Sequence, residues 1–451
     1  MNKYDLTTGK VWKRLLEFFF PIAVGTWFQQ LYNTVDGIIV GKYVGTQALA
    51  AVGGSAGTLS NILINIMVSL TSGAAVIISH YYGAKKYKEV KQAVGTAMLF
   101  CLILGAILTG VFILLTPQML QLMRTPGETL KDSTTYMSIY FAGTVFILLL
   151  NMESSVLRAC GDSKRPLIYM IISCVTNIVL DYVFVRFFHW DVMGVAVATV
   201  ISQFVNMTLL TVRMLKTAAP YRLELPEVKL DRQHLGKMLH IGIPSALQSC
   251  MYGISNTIIQ VAINTLGTVI VASWAMTGKV DGFYWATCNA VSAAITTFVG
   301  QNYGAEKYAR IKECVKTSFL MFVSFTILFS ALVVFLAGPM FAIFTDDPAV
   351  VETSSTLINY FVPFYFSWTT IEILSSTLKG TGDAINPVII LLFGICVFRI
   401  VWVFTLFQKY HTLFCISMAY PASWIVTSLI FIVYYAIRKK QDKLYPNSSR
   451  I

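Results

Sequence analysis

Residues 82–94 read YGAKKYKEVKQAV, and residues 303–315 read YGAEKYARIKECV. Seven of the thirteen positions are identical, at an offset of 221. A second pair keeps the same offset: SSVLRACGDSKRP at 154–166 and SSTLKGTGDAINP at 375–387 share six of thirteen positions. Further upstream, Pro21, Asn33 and Thr34 match Pro244, Asn256 and Thr257 at an offset of 223. Separate matches at nearly one offset mark a chain built from two copies of one unit.

Between these segments the sequence is apolar. The 451 residues are 56% hydrophobic and 12% charged, with a mean hydropathy of +0.67. A soluble domain carries about 25% charged residues. The apolar residues form long blocks, such as 97–115 and 387–407. A spanning helix needs about 20 of them, and in lipid only helices and closed barrels satisfy the backbone. These blocks lack the alternation of barrel strands. The fold class expected is therefore all-α: a polytopic membrane protein with twelve transmembrane helices, at about 15–37, 48–79, 93–115, 134–157, 166–187, 192–215, 239–266, 269–300, 314–337, 354–378, 386–407 and 413–437.

Each repeat holds an even number of spans, so both copies enter the membrane in one orientation. Two six-helix lobes related by a pseudo-two-fold axis along the membrane normal follow. The expected division is an N-terminal lobe at 1–215, a linker at 216–237, a C-terminal lobe at 238–437 and a tail at 438–451. The net charge of +12 has a topological explanation. Most lysines and arginines gather in the two tails and after the even-numbered spans, which places both termini and the linker in the cytoplasm. Nucleic-acid binding is not expected. No cleavable signal peptide is evident, since the first apolar stretch holds Glu17, Gln29, Gln30, Asn33 and Asp36. The eight cysteines form no Cys-x-x-Cys and the five histidines show no metal spacing.

The YGA-x-K-Y and GD-x-x-x-P segments, their copies, AVATVISQ at 196–203 and the Asn-Thr-x-Asp of 33–36 resemble the multidrug and toxic compound extrusion (MATE) family over essentially the whole chain. The resemblance implies a secondary antiporter of the plasma (bacterial inner) membrane. Such a protein exports drugs and organic cations, a route to antibiotic resistance, in exchange for H⁺ or Na⁺. It implies no cofactor beyond the coupling ion, small organic and often cationic substrates, contact with membrane lipid, and a monomer.

Ionisable residues within spans are costly and point to function. Gln29, Tyr32, Asn33 and Asp36 recur at helical spacing on one face of span 1. Asp181 of span 5 follows Asn177 by four residues, so the two share a face. Two carboxylates from different helices can share a proton or hold a Na⁺; the alternative is that they only join neighbouring helices. The resemblance places Asp36, Asn177, Asp181 and Thr199, with Tyr136, in the family's N-lobe cation site. The positions equivalent to Asp36, Asn177 and Asp181 are Ile259, Phe398 and Trp402. Coupling is thus expected in the first lobe alone. A substrate cavity is expected from Gln29, Asn33, Glu153, Asn256, Met276 and Asp281. Glu153 is read as attracting organic cations or helping a proton relay, and equally as a snorkelling or helix-linking carboxylate; Pro21 is read as either a bend in the transport cycle or a shaping of the span's entry. Lys279 and Asp281 point to different faces, and Glu372 and Arg399 are expected to pair.

No phosphate loop G-x-x-x-x-G-K-[ST] is present, which argues against ATP-driven transport, and no catalytic motif suggests an enzyme. The competing readings are a lipid-linked saccharide flippase of the same superfamily and a membrane-embedded protein that does not transport. The flippase reading requires a basic groove, for which the second lobe's spans offer only Lys279 and Arg399.

Overall fold

The computed structural model describes residues 5–123 and 125–441, and for 32–38, 42, 46, 47, 49, 50, 55 and 227 the backbone alone. The described residues form helices joined by short loops, with no strand. The first half holds α1 (Val11–Ile39), a π-helical turn (Val40–Val44), α2 (Thr46–Gly53), α3 (Ser55–Gly83) and α4 (Tyr87–Leu122). It continues with α5 (Gly127–Ala142), α6 (Thr144–Ala159), α7 (Lys164–Arg186) and α8 (Asp191–Lys216). The second half holds α9 (Arg232–Asn264), α10 (Thr268–Gly304), α11 (Tyr308–Ala342), α12 (Pro348–Phe361) and α13 (Tyr365–Gly380). It ends with α14 (Ile385–Leu391), α15 (Phe398–Trp402) and α16 (Gln408–Tyr410), joined by π-helical turns into one stretch, and α17 (Leu413–Lys440).

Among the described residues seven stretches are long and apolar enough to cross a bilayer, and the α5–α6 pair, bent by 48°, makes an eighth. The remaining spans are α1, α9, α10 and the α12–α13 pair, giving the twelve of the expected fold. They carry more polar side chains, such as Gln248, Asn256 and Gln260 on α9.

Both repeated motifs are helix ends. Gly161 and Gly382 adopt φ of +88° and +94°, a region open to glycine without steric cost. The chain then folds back, so that Asp162 N donates to Leu157 O at 2.9 Å and Asp383 N to Leu378 O at 3.0 Å. The YGA-x-K copies end α3 and α10 in the same way, with Lys86 N on Tyr81 O at 2.9 Å and Lys307 N on Asn302 O at 2.8 Å. These bonds satisfy the carbonyls that a helix end leaves open. Each Gly-Asp carboxylate is then held. Asp162 pairs with Arg165 and accepts from the Tyr221 hydroxyl at 3.1 Å. Asp383 accepts from Tyr434 at 2.6 Å and pairs with Arg438 at 3.2 Å. Burial, then Asp162, pushes the Tyr221 hydroxyl up to about 12.

The chain divides into two compact units: Met1–Asp5 with Phe20–Ala246, and Leu6–Phe19 with Leu247–Ile451. The divisions fall inside α1 and α9, within two residues of Pro21 and Pro244. In the first unit the linker docks on α3 and α4. Lys91 pairs with Glu224 at 2.6 Å, Thr96 donates to Lys229 O at 2.9 Å, and His234 lies 3.0 Å from Glu89 and 2.9 Å from Asp231. In the second unit the segment before α1 docks on α10 and α11. Gln301 accepts from Leu6 N at 3.1 Å, Lys307 donates to Thr7 O at 2.8 Å, and Arg310 donates to Gly9 O at 2.7 Å and Leu6 O at 3.0 Å.

Helix packing in the first unit depends on close approach. A Cβ on Gly73 would lie 2.2 Å from Met238 O, and one on Gly242 would lie 2.6 Å from Leu70 O. Small residues let helices pack tightly where no hydrophobic force drives them together. Gly73→Ala is expected to cost about 1–3 kcal/mol by overpacking. Gly236→Ala, with open space around it, is expected to gain up to about 1 kcal/mol in helix propensity. Thermal unfolding in detergent checks both.

The linker carboxyls give a pH prediction. The hydrogen bond from Lys91 holds Glu224 below its ordinary 4.5, and the His234 backbone N–H and then its ring hold Asp231 below its ordinary 3.8. Lowered carboxyls contribute stability above their unfolded values, and that stability is lost as pH falls through the folded ones. Hydrogen exchange across 217–231 is expected to accelerate selectively as pH falls below that range, after correction for intrinsic exchange.

Candidate functional site

In the first unit, α7 and α8 pack along a buried polar seam. Ser173, Asn177 and Asp181 fall at intervals of four on α7, and Thr199, Ser202 and Asn206 face them from α8; all are less than a tenth exposed. The amide of Asn177, oriented by its hydrogen bonds, donates to Asp181 Oδ2 at 2.9 Å and accepts from Thr199 N at 3.3 Å. Ser202 donates to Thr199 O at 2.8 Å and Ser173 to Ser202 O at 2.7 Å. The Thr199 hydroxyl is spent on Val195 O at 3.0 Å. Asn206 Oδ1 is buried without a hydrogen-bond partner among the described residues. Hydrogen bonds from this polar seam stabilise the carboxyl.

Three of the five expected cation-site residues, Asn177, Asp181 and Thr199, therefore meet directly. Tyr136 is buried on α5, stacked 6.0 Å from Tyr140, and α5 packs on α8. The side chains of Asp36 and Asn33 lie outside the described residues. Pro21 is buried within α1. Gln29 and Asn256 are exposed and Met276 is half-buried. Glu153, expected to line a substrate cavity, is instead fully buried at the interface of α6 and α8, where it accepts from Thr211.

The second unit has no seam at the equivalent positions. Ile259 sits in an apolar cluster with Val403, Phe407 and Ile416. Phe398 and Trp402 pack on each other at 5.7 Å, and Trp402 Nε1 donates to Cys415 O at 2.9 Å. Its acids lie elsewhere. Asp281 is buried on α10 and accepts from the Tyr365 hydroxyl of α13. The Tyr365 ring stacks 4.2 Å from Tyr284, and Trp424 lies 6.0 Å away. Lys279, two residues before Asp281, points away and is exposed over the Phe344 ring at 5.4 Å. The expected Glu372–Arg399 pair does not form. Arg399 donates to Ser423 at 3.1 Å and lies 3.9 Å over the Tyr420 ring, because α15 packs on α17.

The Asn177–Asp181 interval was legible as one polar face of span 5, and Ser173 extends it. The partners on α8 were less so, and the Asp281–Tyr365 contact joins residues 84 apart with no local signal.

The MatE family profile matches residues 21–183 and 244–405, once in each half. The chain belongs to the MATE family. Similar curated members include the probable multidrug resistance protein YoeA of Bacillus subtilis (strain 168), 26% identical with 96% of this chain and 95% of that protein covered. The multidrug export protein MepA of Staphylococcus aureus (strain NCTC 8325 / PS 47) is 24% identical, with 86% of each chain covered. Among solved structures, an outward-facing conformation of a multidrug resistance MATE transporter of the MOP superfamily superposes with a TM-score of 0.89 at 21% identity, covering 98% of this chain and 99% of that one. A MOP-superfamily transporter from Pyrococcus furiosus, whose binding pocket is described as having reverse polarity that suggests a different function, superposes at 0.92 with the same identity and coverage. Likeness at this identity shows the fold alone, and the chemistry must be read from this chain's own residues.

Asn177→Ala removes the amide that joins Asp181 to α8. A hydrogen bond to a charged group contributes about 1.5–3 kcal/mol. The variant is expected to unfold at lower temperature in detergent, and an unchanged melting temperature would separate Asn177 from the site.

Proposed function

We propose that this MATE transporter exports small organic cations by alternating access between its two units, driven by H⁺ bound at Asp181. Asp36 is proposed as its partner carboxylate on α1, with Tyr136 beside them. The observation that carries the reading is the buried Asp181–Asn177–Thr199 set in one unit against the apolar cluster around Ile259 in the other. A carboxyl held in the membrane interior by an amide donor can gain and lose a proton as the site opens to either side. Transport then requires that the two conformations bind the proton with different affinity.

The orientation of the Asn177 amide favours H⁺ over Na⁺. A hard cation needs several oxygen ligands at once. Here the Asn177 oxygen accepts from Thr199 N, and its nitrogen faces the carboxylate. For the substrate, exposed Gln29 and Asn256 within spans suit a water-filled path rather than lipid. Asp281 beside stacked Tyr365 and Tyr284 supplies an acid and aromatic faces for a cation. Arg399, covered by Tyr420 and Ser423, is not placed to receive a phosphate, which weakens the saccharide flippase reading. A plasma-membrane monomer with both termini in the cytoplasm completes the proposal.

Asp181→Asn is expected to lower efflux driven by a pH gradient at least ten-fold in proteoliposomes, while a fluorescent cation still binds the purified protein. A Na⁺ gradient at fixed pH is expected to drive no efflux. Full activity of Asp181→Asn would overturn the assignment, and efflux driven by Na⁺ alone would overturn the choice of ion.

A further inference from the structure

Glu153 is a buried acid that the coupling site leaves unused. It lies on α6, six residues before Ala159, and the end of α6 and start of α7 carry Arg158, Lys164 and Arg165. The positive-inside rule assigns that end to the cytoplasm. At 1.5 Å per residue, Glu153 is about 9 Å from the end of its helix, whereas Asp181 lies about 25 Å along α7 from Lys164. The two acids thus occupy different depths of the same unit.

The surroundings of Glu153 are neutral. The side chain has no exposed surface. Its Oε1 accepts from the Thr211 hydroxyl of α8, and Thr211 also lies 3.4 Å from Met207 Sδ. Its Oε2 is buried without a hydrogen-bond partner among the described residues. Of the helices packed on α6, α4 presents the Cys101 thiol close to the carboxyl, and α8 presents Thr211. Among the described residues no lysine, arginine or histidine from α3, α4, α5, α7 or α8 pairs with it. On its own helix Arg158 donates to Ser155.

An unpaired charge of this kind costs several kcal/mol, and such groups neutralise instead. The two oxygens differ in a way that shows how. Thr211 satisfies Oε1 whether the carboxyl is ionised or not, so Oε2 is left as the atom for a proton. We propose that Glu153 is a second proton-carrying residue of the first unit, neutral in this conformation, that exchanges its proton with cytoplasmic water. The inference rests on the reading of the protein as an H⁺-coupled transporter. The step breaks the Oε2–H bond, passes the proton to water as α6 and α8 part, and leaves a carboxylate still hydrogen-bonded to Thr211. Glu153 then differs from Asp181, whose carboxylate is stabilised by Asn177 in the closed seam.

Infrared difference spectroscopy on the purified full-length transporter tests this. The C=O stretch of a protonated carboxyl at pH 7 is expected to vanish in Glu153→Gln, to persist in Asp181→Asn, and to shift in Thr211→Val, which removes the donor to Oε1. Glu153→Asp provides a milder variant that keeps an acid and a shifted band should the glutamine form fold poorly. In proteoliposomes Glu153→Gln is expected to slow efflux driven by a pH gradient about ten-fold while substrate affinity stays within two-fold. A spectrum unchanged in both Glu153→Gln and Glu153→Asp shows an ionised Glu153 and overturns the inference. So does full gradient-driven efflux by Glu153→Gln. If instead the Glu153 band behaves as expected while Asp181→Asn transports normally, the coupling role of Asp181 fails and the proton on Glu153 stands.

Discussion

An ionisable side chain within a bilayer has to find its partners inside the protein, since neither water nor lipid supplies them. Asp181 meets this constraint through Asn177, and Asn177 in turn meets the backbone of Thr199. That chain of bonds fixes the facing of α7 and α8. It also explains why their contact is lined by serines and asparagines where a soluble helix pair would use leucines. The same constraint shapes the second unit by a different route, where Asp281 is answered by the Tyr365 hydroxyl and Arg399 by an aromatic face. Two units of one ancestry have kept their helix ends and exchanged their interiors.

The repeated motifs have an architectural meaning. The Gly-Asp and YGA-x-K copies turn the chain back at helix ends through the same backbone bonds in each half. The aspartates that follow are held by tyrosine and arginine from different places in the sequence. Tyr221 comes from the linker, and Tyr434 from the last helix. At the Gly-Asp turns a left-handed glycine, which admits few substitutes, is present in both copies. At the YGA-x-K turns the left-handed position falls to Lys85 and Glu306, the residues at which the copies differ.

Fold class, span count and repeat were legible in the sequence, because membrane insertion writes them as long apolar blocks with an asymmetry of basic residues. The Asn177–Asp181 stripe was legible as well, since helical spacing puts both on one face. Pairings across helices were not. Glu372 and Arg399 were expected to meet as the two opposite charges of neighbouring spans, yet Arg399 turns to α17. Glu153 was placed among cavity residues, but lies sealed against α8. Charge and depth can be read along one chain, whereas the rotation of each helix about its axis is set by packing against partners distant in sequence.

The segment Leu6–Phe19 belongs to the second unit, and the stretch that ends at Ala246 belongs to the first. This has a consequence for biogenesis. The ribosome delivers residues in order, so Leu6–Phe19 meets the helices it docks on only when α10 and α11 are complete, more than 300 residues later. The first unit, for its part, is unfinished when its sixth span is inserted, and closes only when the opening turns of α9 arrive. Synthesis therefore passes through a long stage in which a basic N-terminal arm and an unfilled face on α3 are both without their mates. The order of translation and the order of assembly differ in this protein at both ends of the repeat.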